Sequence, residues 1–521
     1  MESAKDNVPL IPASAPEAKR TLRHPWLWQP NLTTFISSGC MMVLELVAGR
    51  IIAPYVGVSL YTWTSVIGVV LAGISLGNYV GGRLADRWAS LRLLGGVFLL
   101  GGLASFGILA VDTLGKHTPS GWPTIATILL ITASLFFLPC FVLGMVSPIL
   151  AKLAVRDLTK IGNTVGKIYA FGTVGSIVGT FATGFVLISW FGTHTIVWGV
   201  ALLLLALGLL FLTGGRWQIL LAAALIFAGG SVLASKRGWL RGPCGRQTNY
   251  FCIKVHEEQR DGEIVYVLVL DRLVHSYTSP NNPTKLVYGY EQIYARVTAY
   301  RAQQDTHLRA FFIGGGGYTF PRYIEAVYPG SDVDVVEIDP GVTQIAYERL
   351  GLPNDTTIVT YNEDARLFLE REPTSKYDLV FGDAFNDFSV PYHLTTKEFN
   401  DRVHAWLEED GLYVVNIIDG APGDFLRAFA NTLSKTFRHV YVASTVRSFT
   451  HLPRSTFVLI ASDEPLKLEH KVPEEGYDKP LVASHVLSDK EFAELLTSGR
   501  VVTLTDQYAP VDQMLAWVFR Y

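Results

Sequence analysis

Seven apolar stretches dominate the first half of the chain: residues 32–52, 62–82, 93–111, 122–150, 168–190, 195–212 and 217–233. They lack the regular polar positions that a surface helix keeps on its outer face, so the pattern predicts helices that are apolar all round. A helix that crosses a bilayer needs about 20 such residues. The first six runs meet that length; the seventh is short and could span, lie flat or re-enter. Residues 1–30 are polar and rich in proline (Pro9, Pro12, Pro16, Pro25 and Pro30) and predict a mobile tail without a signal-peptide pattern.

After Lys236 the pattern changes. Residues 249–277 alternate with a period of two, as half-buried strands do. Tyr250-Phe251-Cys252-Ile253-Lys254-Val255 and Ile264-Val265-Tyr266-Val267-Leu268-Val269-Leu270 read as strands, with Asp261-Gly262 as a hairpin turn between them. Short apolar strands then alternate with helical segments, which predicts a doubly wound parallel sheet. Its strands are expected at Ala310-Phe311-Phe312-Ile313, Val333-Asp334-Val335-Val336-Glu337, Thr357-Ile358-Val359-Thr360, Tyr377-Asp378-Leu379-Val380-Phe381-Gly382-Asp383 and Leu412-Tyr413-Val414-Val415-Asn416-Ile417-Ile418. Val440-Tyr441-Val442-Ala443 and Thr456-Phe457-Val458-Leu459-Ile460 complete it. The expected organisation is a tail (1–30), a helical membrane domain (31–235), a small β-domain (248–285) and a Rossmann-like α/β domain of methyltransferase type (286–521).

Composition agrees with a membrane half joined to a soluble half. Of the 521 residues 49% are hydrophobic and 17% charged, which excludes a disordered chain. A net charge of -3 gives no bulk attraction for nucleic acid, and four cysteines are too few for a disulfide-built scaffold. No Cys/His cluster has zinc spacing, so no metal is expected. No serine sits in a nucleophile elbow, which argues against a serine hydrolase.

Orientation follows the bias of Lys and Arg in short connections. The tail carries Lys5, Lys19, Arg20 and Arg23; the second-to-third connection carries Arg83, Arg87 and Arg92; the fourth-to-fifth carries Lys152, Arg156, Lys160 and Lys167. The alternate connections hold little beyond Lys116, so the N-terminus is expected in the cytoplasm. Six spans then leave the soluble half in the cytoplasm, and seven carry it outside. A disulfide between Cys244 and Cys252 would favour the outside; free thiols are the simpler expectation. Glu45 and Arg50 lie within the first run, where charges are costly and are either functional or paired.

The chemistry gathers at strand ends. Ile313 runs into Gly314-Gly315-Gly316-Gly317, which lets backbone approach a ligand closely, and Glu337 ends the next strand 23 residues after Gly314. A carboxylate there can accept hydrogen bonds from both ribose hydroxyls of a nucleotide. Asp364, followed by Ala365, comes after the third strand, within reach of an adenine amino group. Asp383 ends the fourth strand at the carboxyl edge, where α/β folds place their chemistry.

These motifs resemble the spermidine synthase (aminopropyltransferase) family: Ile313-Gly314-Gly315-Gly316, Val336-Glu337-Ile338-Asp339-Pro340 and Tyr377-Asp378-Leu379-Val380-Phe381-Gly382-Asp383, with weaker matches at Leu270-Asp271 and Tyr288-Gly289-Tyr290-Glu291. The spans, residues 45–57 and Tyr508-Ala509-Pro510-Val511-Asp512 are similar to bacterial membrane-fused members. Gly82-Arg83-Leu84-Ala85-Asp86-Arg87 looks like the cytoplasmic loop motif of major-facilitator transporters; a plain basic loop reads equally well.

The resemblance implies S-adenosylmethionine or its decarboxylated form as co-substrate, Gly314, Gly315, Gly316, Glu337, Asp364 and Ala365 around it, and Asp383 as the base that deprotonates an amine. His275, Tyr288, Tyr290, Glu291, Asn386, Asp387 and Tyr392 would line the acceptor pocket for an amine or polyamine. The chain departs from the family pattern at four places, one of them Tyr288-Gly289-Tyr290-Glu291, where the family has Tyr-His-Glu. Gly317 stands where the family has Asp, Asn386 where it has a second Asp, and His275 where it has Gln. These departures weaken the case for spermidine synthesis itself, and Gly317 is expected to leave room for the carboxylate of intact S-adenosylmethionine. Methyl transfer on the same fold, and a ligand-sensing domain without turnover, remain open. So does a homodimer. Because S-adenosyl donors are made from ATP, the soluble half is expected on the cytoplasmic side.

Overall fold

The computed structural model describes residues 29–111, 114, 122–155, 158–384, 390–444, 454–467 and 485–520. Seven of its helices are long and apolar enough to cross a membrane: α1 (Pro30–Val56), α2 (Leu60–Trp88), α3 (Leu91–Ala110), α4 (Ile125–Ala154), α5 (Ile161–Trp190), α6 (Thr193–Thr213) and α7 (Trp217–Lys236). The seventh run is therefore as regular a helix as the others. At 20 residues it reaches about 30 Å, the thickness of a hydrocarbon core.

Helices α1 and α5, α2 and α4, and α3 and α6 pack in pairs. Small residues allow this. A Cβ on Gly77 of α2 would fall 2.1 Å from the Phe141 carbonyl oxygen of α4, and one on Gly175 of α5 the same distance from that of Phe35 in α1. Such close backbone approach lets helices pack without relying on the burial of large apolar side chains. Exchanging the first three helices with the next three leaves this set of pairs unchanged, the pattern of two inverted three-helix repeats. Helix α7 lies at the edge, with only Ala234 buried, and is tied to α6 by Trp198 Nε1 donating to Ser231 Oγ at 2.9 Å.

A four-stranded antiparallel sheet opens the second half: β1 (Arg246–Gln247), β2 (Cys252–Arg260), β3 (Glu263–Leu270) and β4 (Leu273–Thr278). Asp261 and Gly262 both take positive φ (52° and 81°), the requirement of a two-residue hairpin turn that matches strand twist. Cys244 and Cys252 form a disulfide, with Cα atoms 5.2 Å apart. This corrects the expectation of free thiols: the pairing of β1 with β2 brings the two cysteines together. The bridge closes a short loop, so Cys252→Ala is expected to cost about 2–3 kcal/mol of unfolding free energy in the soluble half. Chemical denaturation followed under oxidising and reducing conditions measures it.

The larger sheet has eight strands: β5 (Arg309–Ile313), β6 (Asp332–Val336), β7 (Val359–Tyr361), β8 (Tyr377–Gly382), β9 (Leu407–Asp419), β10 (His439–Ser444), β11 (Ser455–Ser462) and β12 (His485–Val486), in the order β12-β10-β11-β9-β8-β5-β6-β7. The five strands from β9 to β7 run parallel, and β11, β10 and β12 add antiparallel pairs. The sheet is therefore mixed rather than parallel throughout. Chain order reverses between β5 and β8, and that is the crevice where such sheets bind ligands.

Helices α8 (Gly289–Arg301), α9 (Thr319–Val327), α10 (Pro340–Arg349), α11 (Ala365–Leu369), α12 (Lys397–Trp406) and α13 (Asp424–Leu433) cover its faces. Two of their starts matter to the site. Asp339 caps α10, accepting from the Gly341 amide with Pro340 at the first helical position, and Asp364 caps α11. Both carboxylates are thereby fixed at the carboxyl edge of the parallel strands.

Candidate active site

Gly314 leaves β5 with φ at 97°, and a Cβ there would lie 2.5 Å from the Asp383 carbonyl oxygen. Only glycine lets the first loop pass beneath the end of β8. The loop folds over the next strand end. Glu337 Oε2 accepts from the Gly315 and Gly316 amides at 2.8 and 3.3 Å, and its Oε1 accepts from the Asp339 amide at 2.9 Å. Burial raises the Glu337 pKa, and these amide hydrogen bonds pull it back.

One cavity is lined by Gly314, Gly316, Glu337, Asp364, Ala365 and Asp383, together with Tyr250, Phe251, His275 and His393. Gly314 and Gly316 of the glycine loop thus meet both downstream acids around one space, while Gly315 lines the neighbouring pocket instead. Asp364 is already engaged. Its Oδ1 accepts from the Arg366 and Leu367 amides at 2.8 and 3.2 Å, and its Oδ2 lies 3.3 Å from His393 Nε2. Sequence reasoning did not single out His393, which comes from a turn 29 residues further along the chain.

A second pocket adjoins the first and shares Gly314, Gly316, His275 and Asp383 with it. Tyr288, Tyr290 and Glu291 line it as expected. Asp383 sits at its floor. Asn416 Nδ2 donates to Asp383 Oδ1 at 2.9 Å, and the Tyr290 hydroxyl donates to the same carboxylate. Burial pushes Asp383 up to about 6, against the lowering effect of those two hydrogen bonds. Glu291 is fully enclosed; burial first, then the nearby Asp383, drives its pKa far up. One Glu291 oxygen accepts from the Tyr288 amide, closing a capping box at the start of α8. The Tyr288 hydroxyl donates to the Val274 carbonyl at 2.9 Å. His275 Nε2 is buried and has no hydrogen-bond partner among the described residues, and burial lowers its pKa to about 4. The imidazole is neutral at pH 7 and ready to bond a ligand.

Two expectations change, and a third lies outside the described residues. Tyr392 does not reach this pocket. It is 60% exposed and opens instead on a cavity with Leu60, Trp63 and Asp512 where the helical half meets the soluble half. Its side chain leaves a 3-10 turn (Tyr392–Leu394) on the outer side. Gly317 does line the pocket, but it leaves no room: a Cβ there would lie 2.0 Å from Ser276 Oγ and 2.6 Å from Thr278 Oγ1. Its missing side chain is filled by β4, not by space for a carboxylate. Asn386 and Asp387 lie outside the described residues.

Arg50 is also answered. Its guanidinium donates to the carbonyls of Thr248, at 2.5 Å, and Asn249, and so joins α1 to the soluble half. The Leu60 amide donates to Asp512 at 3.1 Å, a second tie between the halves.

No family model matches the chain. Over 146 residues, 28% of this chain, it is 30% identical to a probable polyamine aminopropyl transferase of Bifidobacterium longum; the match spans about a third (32%) of that protein's length. Over 425 residues it is 26% identical to polyamine aminopropyltransferase 2 of Streptomyces coelicolor, covering 75% of this chain and 74% of the other. The chain resembles the polyamine aminopropyltransferases. The second alignment is longer than everything after Lys236, so the similarity extends into the helical half. A 116-residue stretch is also 34% identical to an N-terminal histidine N-methyltransferase of Emericella nidulans, over 22% of this chain and 20% of that one. Among solved structures, a probable spermidine synthase from Corynebacterium glutamicum aligns with 48% of this chain and 93% of its own, at 19% identity and a TM-score of 0.42.

Proposed function

We propose that the chain is a membrane-bound transferase that moves an aminopropyl-type group from an S-adenosyl donor to an amine. The observation that carries this reading is Asp383, a buried carboxylate at the end of β8, beside the glycine loop and fixed by Asn416 and Tyr290. Glu337, Asp364 and Ala365 would hold the nucleoside of the donor in the first cavity, and the amine would approach through the second. An ammonium ion must lose a proton before its nitrogen attacks the carbon next to the sulfonium. The proton passes to Asp383, the new C–N bond forms, the C–S bond breaks, and its electron pair leaves with the thioether. The leaving group needs no acid, so positioning supplies the rest of the catalysis.

The seven apolar helices and the Lys/Arg bias of their connections support a multi-pass membrane protein with a cytoplasmic N-terminus. Seven crossings leave the soluble half on the outer side, and the Cys244–Cys252 disulfide suits an oxidising compartment. This reading replaces the cytoplasmic expectation. The same observation favours a second reading, a ligand-binding domain without turnover, because an S-adenosyl donor made inside would have to reach the outer face.

Product analysis decides between them. The purified protein is incubated with S-adenosylmethionine or its decarboxylated form and an amine. Methylthioadenosine as product supports transfer of the three-carbon group, and S-adenosylhomocysteine replaces that reading with methyl transfer. Tight binding without either product leaves the sensing role. Maleimide labelling of single cysteines placed in the soluble half of intact cells tests its side.

A further inference from the structure

Arg50 has its partners, but Glu45 does not. Among the described residues no hydrogen bond or ion pair reaches the Glu45 carboxyl. Its depth also sets it apart. Every other Lys, Arg, Asp and Glu of the seven long helices lies within six residues of a helix end. Glu45 lies eleven residues before Val56, where α1 ends, which is about 16 Å of helix. That depth is the middle of a hydrocarbon core about 30 Å thick. A carboxyl there is costly, and such residues mark ion or substrate paths. The surroundings are not a regular helical seam. Helix α1 packs against a π turn in α4 (Ala133–Phe137) and another in α5 (Thr183–Leu187), and such turns are frequent at functional sites. Helices α1 and α4 are also the equivalent members of the two three-helix repeats, and carriers built this way place their sites near the midplane where the repeats meet.

A column of contacts leads from Glu45 to the soluble half. Gly49 stands one turn above it on the same face of α1. A Cβ on Gly49 would fall 2.9 Å from the Trp63 ring, so the indole of α2 rests directly on that glycine. Trp63 in turn lines the cavity between the halves, together with Tyr392, His393 and Asp512. His393 and Pro391 line both that cavity and the one beside the glycine loop. The order from mid-span outward is a carboxyl, an indole, a cavity with aromatic rings and a carboxylate, and then the site. Each step suits an organic cation. Carboxylates attract its charge, and aromatic faces bind a desolvated cation within about 6 Å of the ring centre.

We propose that the helical half is a carrier for an organic cation, an ammonium or a sulfonium, that Glu45 binds this cation within the membrane, and that the junction cavity passes it to the site. The inference rests on the membrane reading of the seven helices and goes beyond the transferase reading. It answers how a substrate made on one side of the membrane reaches a site on the other. Two substrates of the transferase reading share this chemistry: the S-adenosyl donor is a sulfonium and the acceptor is an ammonium. No covalent bond forms or breaks in the step. The cation moves down its own gradient, and the Trp63 indole has to swing off Gly49 for it to pass.

The test is uptake by the full-length protein in sealed proteoliposomes, with labelled S-adenosylmethionine as the sulfonium and labelled putrescine as the ammonium. Wild type is expected to take up at least one of them well above protein-free vesicles, and the one taken up identifies the cargo. Glu45→Gln should lower that rate by about tenfold or more, because a cation without its counter-charge is costly at mid-membrane. Glu45→Asp should keep part of the rate, with melting temperature as the check on folding. Uptake of neither cation, an unchanged rate in Glu45→Gln, or collapse of an imposed pH gradient without cation uptake overturns the proposal; the last result would make Glu45 a proton site. The wild-type measurement decides by itself where a variant fails to fold. Methylthioadenosine is titrated separately onto wild type in nanodiscs. Its binding without uptake of either cation removes the carrier and leaves the transferase reading standing. Uptake without its binding keeps the carrier and removes the nucleoside reading.

Discussion

Asp383→Asn should lower the rate of product formation by about 10³-fold while raising the melting temperature. The rate effect follows from the loss of a positioned base, which typically contributes 10²–10⁴-fold. The stability effect has the opposite sign because the carboxylate is held where ionisation is disfavoured. Burial lifts its pKa from 3.8 to about 6 in the folded chain, so between those values the folded state binds more protons than the unfolded one. Stability therefore falls as pH rises through that window, and at pH 7 the ionised group costs on the order of 3 kcal/mol. An amide of the same shape removes the charge and that cost. Wild-type activity should rise with pH through about 6 and then level off, whereas the residual activity of Asp383→Asn should show no such step. His275, neutral above about pH 4, adds no further step near neutrality. A variant as active as wild type would remove Asp383 from the mechanism. A variant that is inactive and also less stable would show that the carboxylate serves structure.

The parts of this site that could be read from sequence are those that depend on strand ends. A strand period followed by glycines, and an acid at the end of the next strand, leave little freedom: Gly314, Glu337 and Asp383 had to meet at the carboxyl edge, and they do. Residues whose role depends on packing direction were not legible. Asn416 reads as one position of an apolar strand, yet it holds the Asp383 carboxylate. Arg454 and His393 arrive from segments that no local pattern connects to the glycine loop. Gly317 suggested free space, but a missing Cβ says nothing about which neighbour occupies its place. The spacing of Cys244 and Cys252 likewise does not reveal that a short strand pairing sets their Cα atoms 5.2 Å apart.

Arg50 carries the other large expected effect. A charge near the end of a first apolar run reads as a residue extending toward the membrane surface, yet a chain of hydrogen bonds runs from it to the cavity beside the glycine loop. Arg50 donates to the carbonyl of Thr248, and Thr248 Oγ1 donates to Asp339 Oδ2 at 2.6 Å. The Asp339 amide donates to Glu337, and Glu337 accepts from the amides of Gly315 and Gly316. The glycine loop is thus braced on a helix of the other half. Arg50→Gln removes a charged two-pronged donor from two carbonyls. Hydrogen bonds to charged groups contribute about 1.5–3 kcal/mol, so methylthioadenosine should bind at least tenfold more weakly. Arg50→Lys should recover only part of this, because an ammonium cannot span both carbonyls as the planar fork does. Thr248→Val breaks the next link and should weaken binding similarly. If the chain acts as a unit, the double variant should bind no more weakly than the worse single one. Additive losses would mean that Arg50 and Thr248 act separately. Binding within twofold of wild type in Arg50→Gln would reduce Arg50 to an anchor between the halves, with no influence on the site.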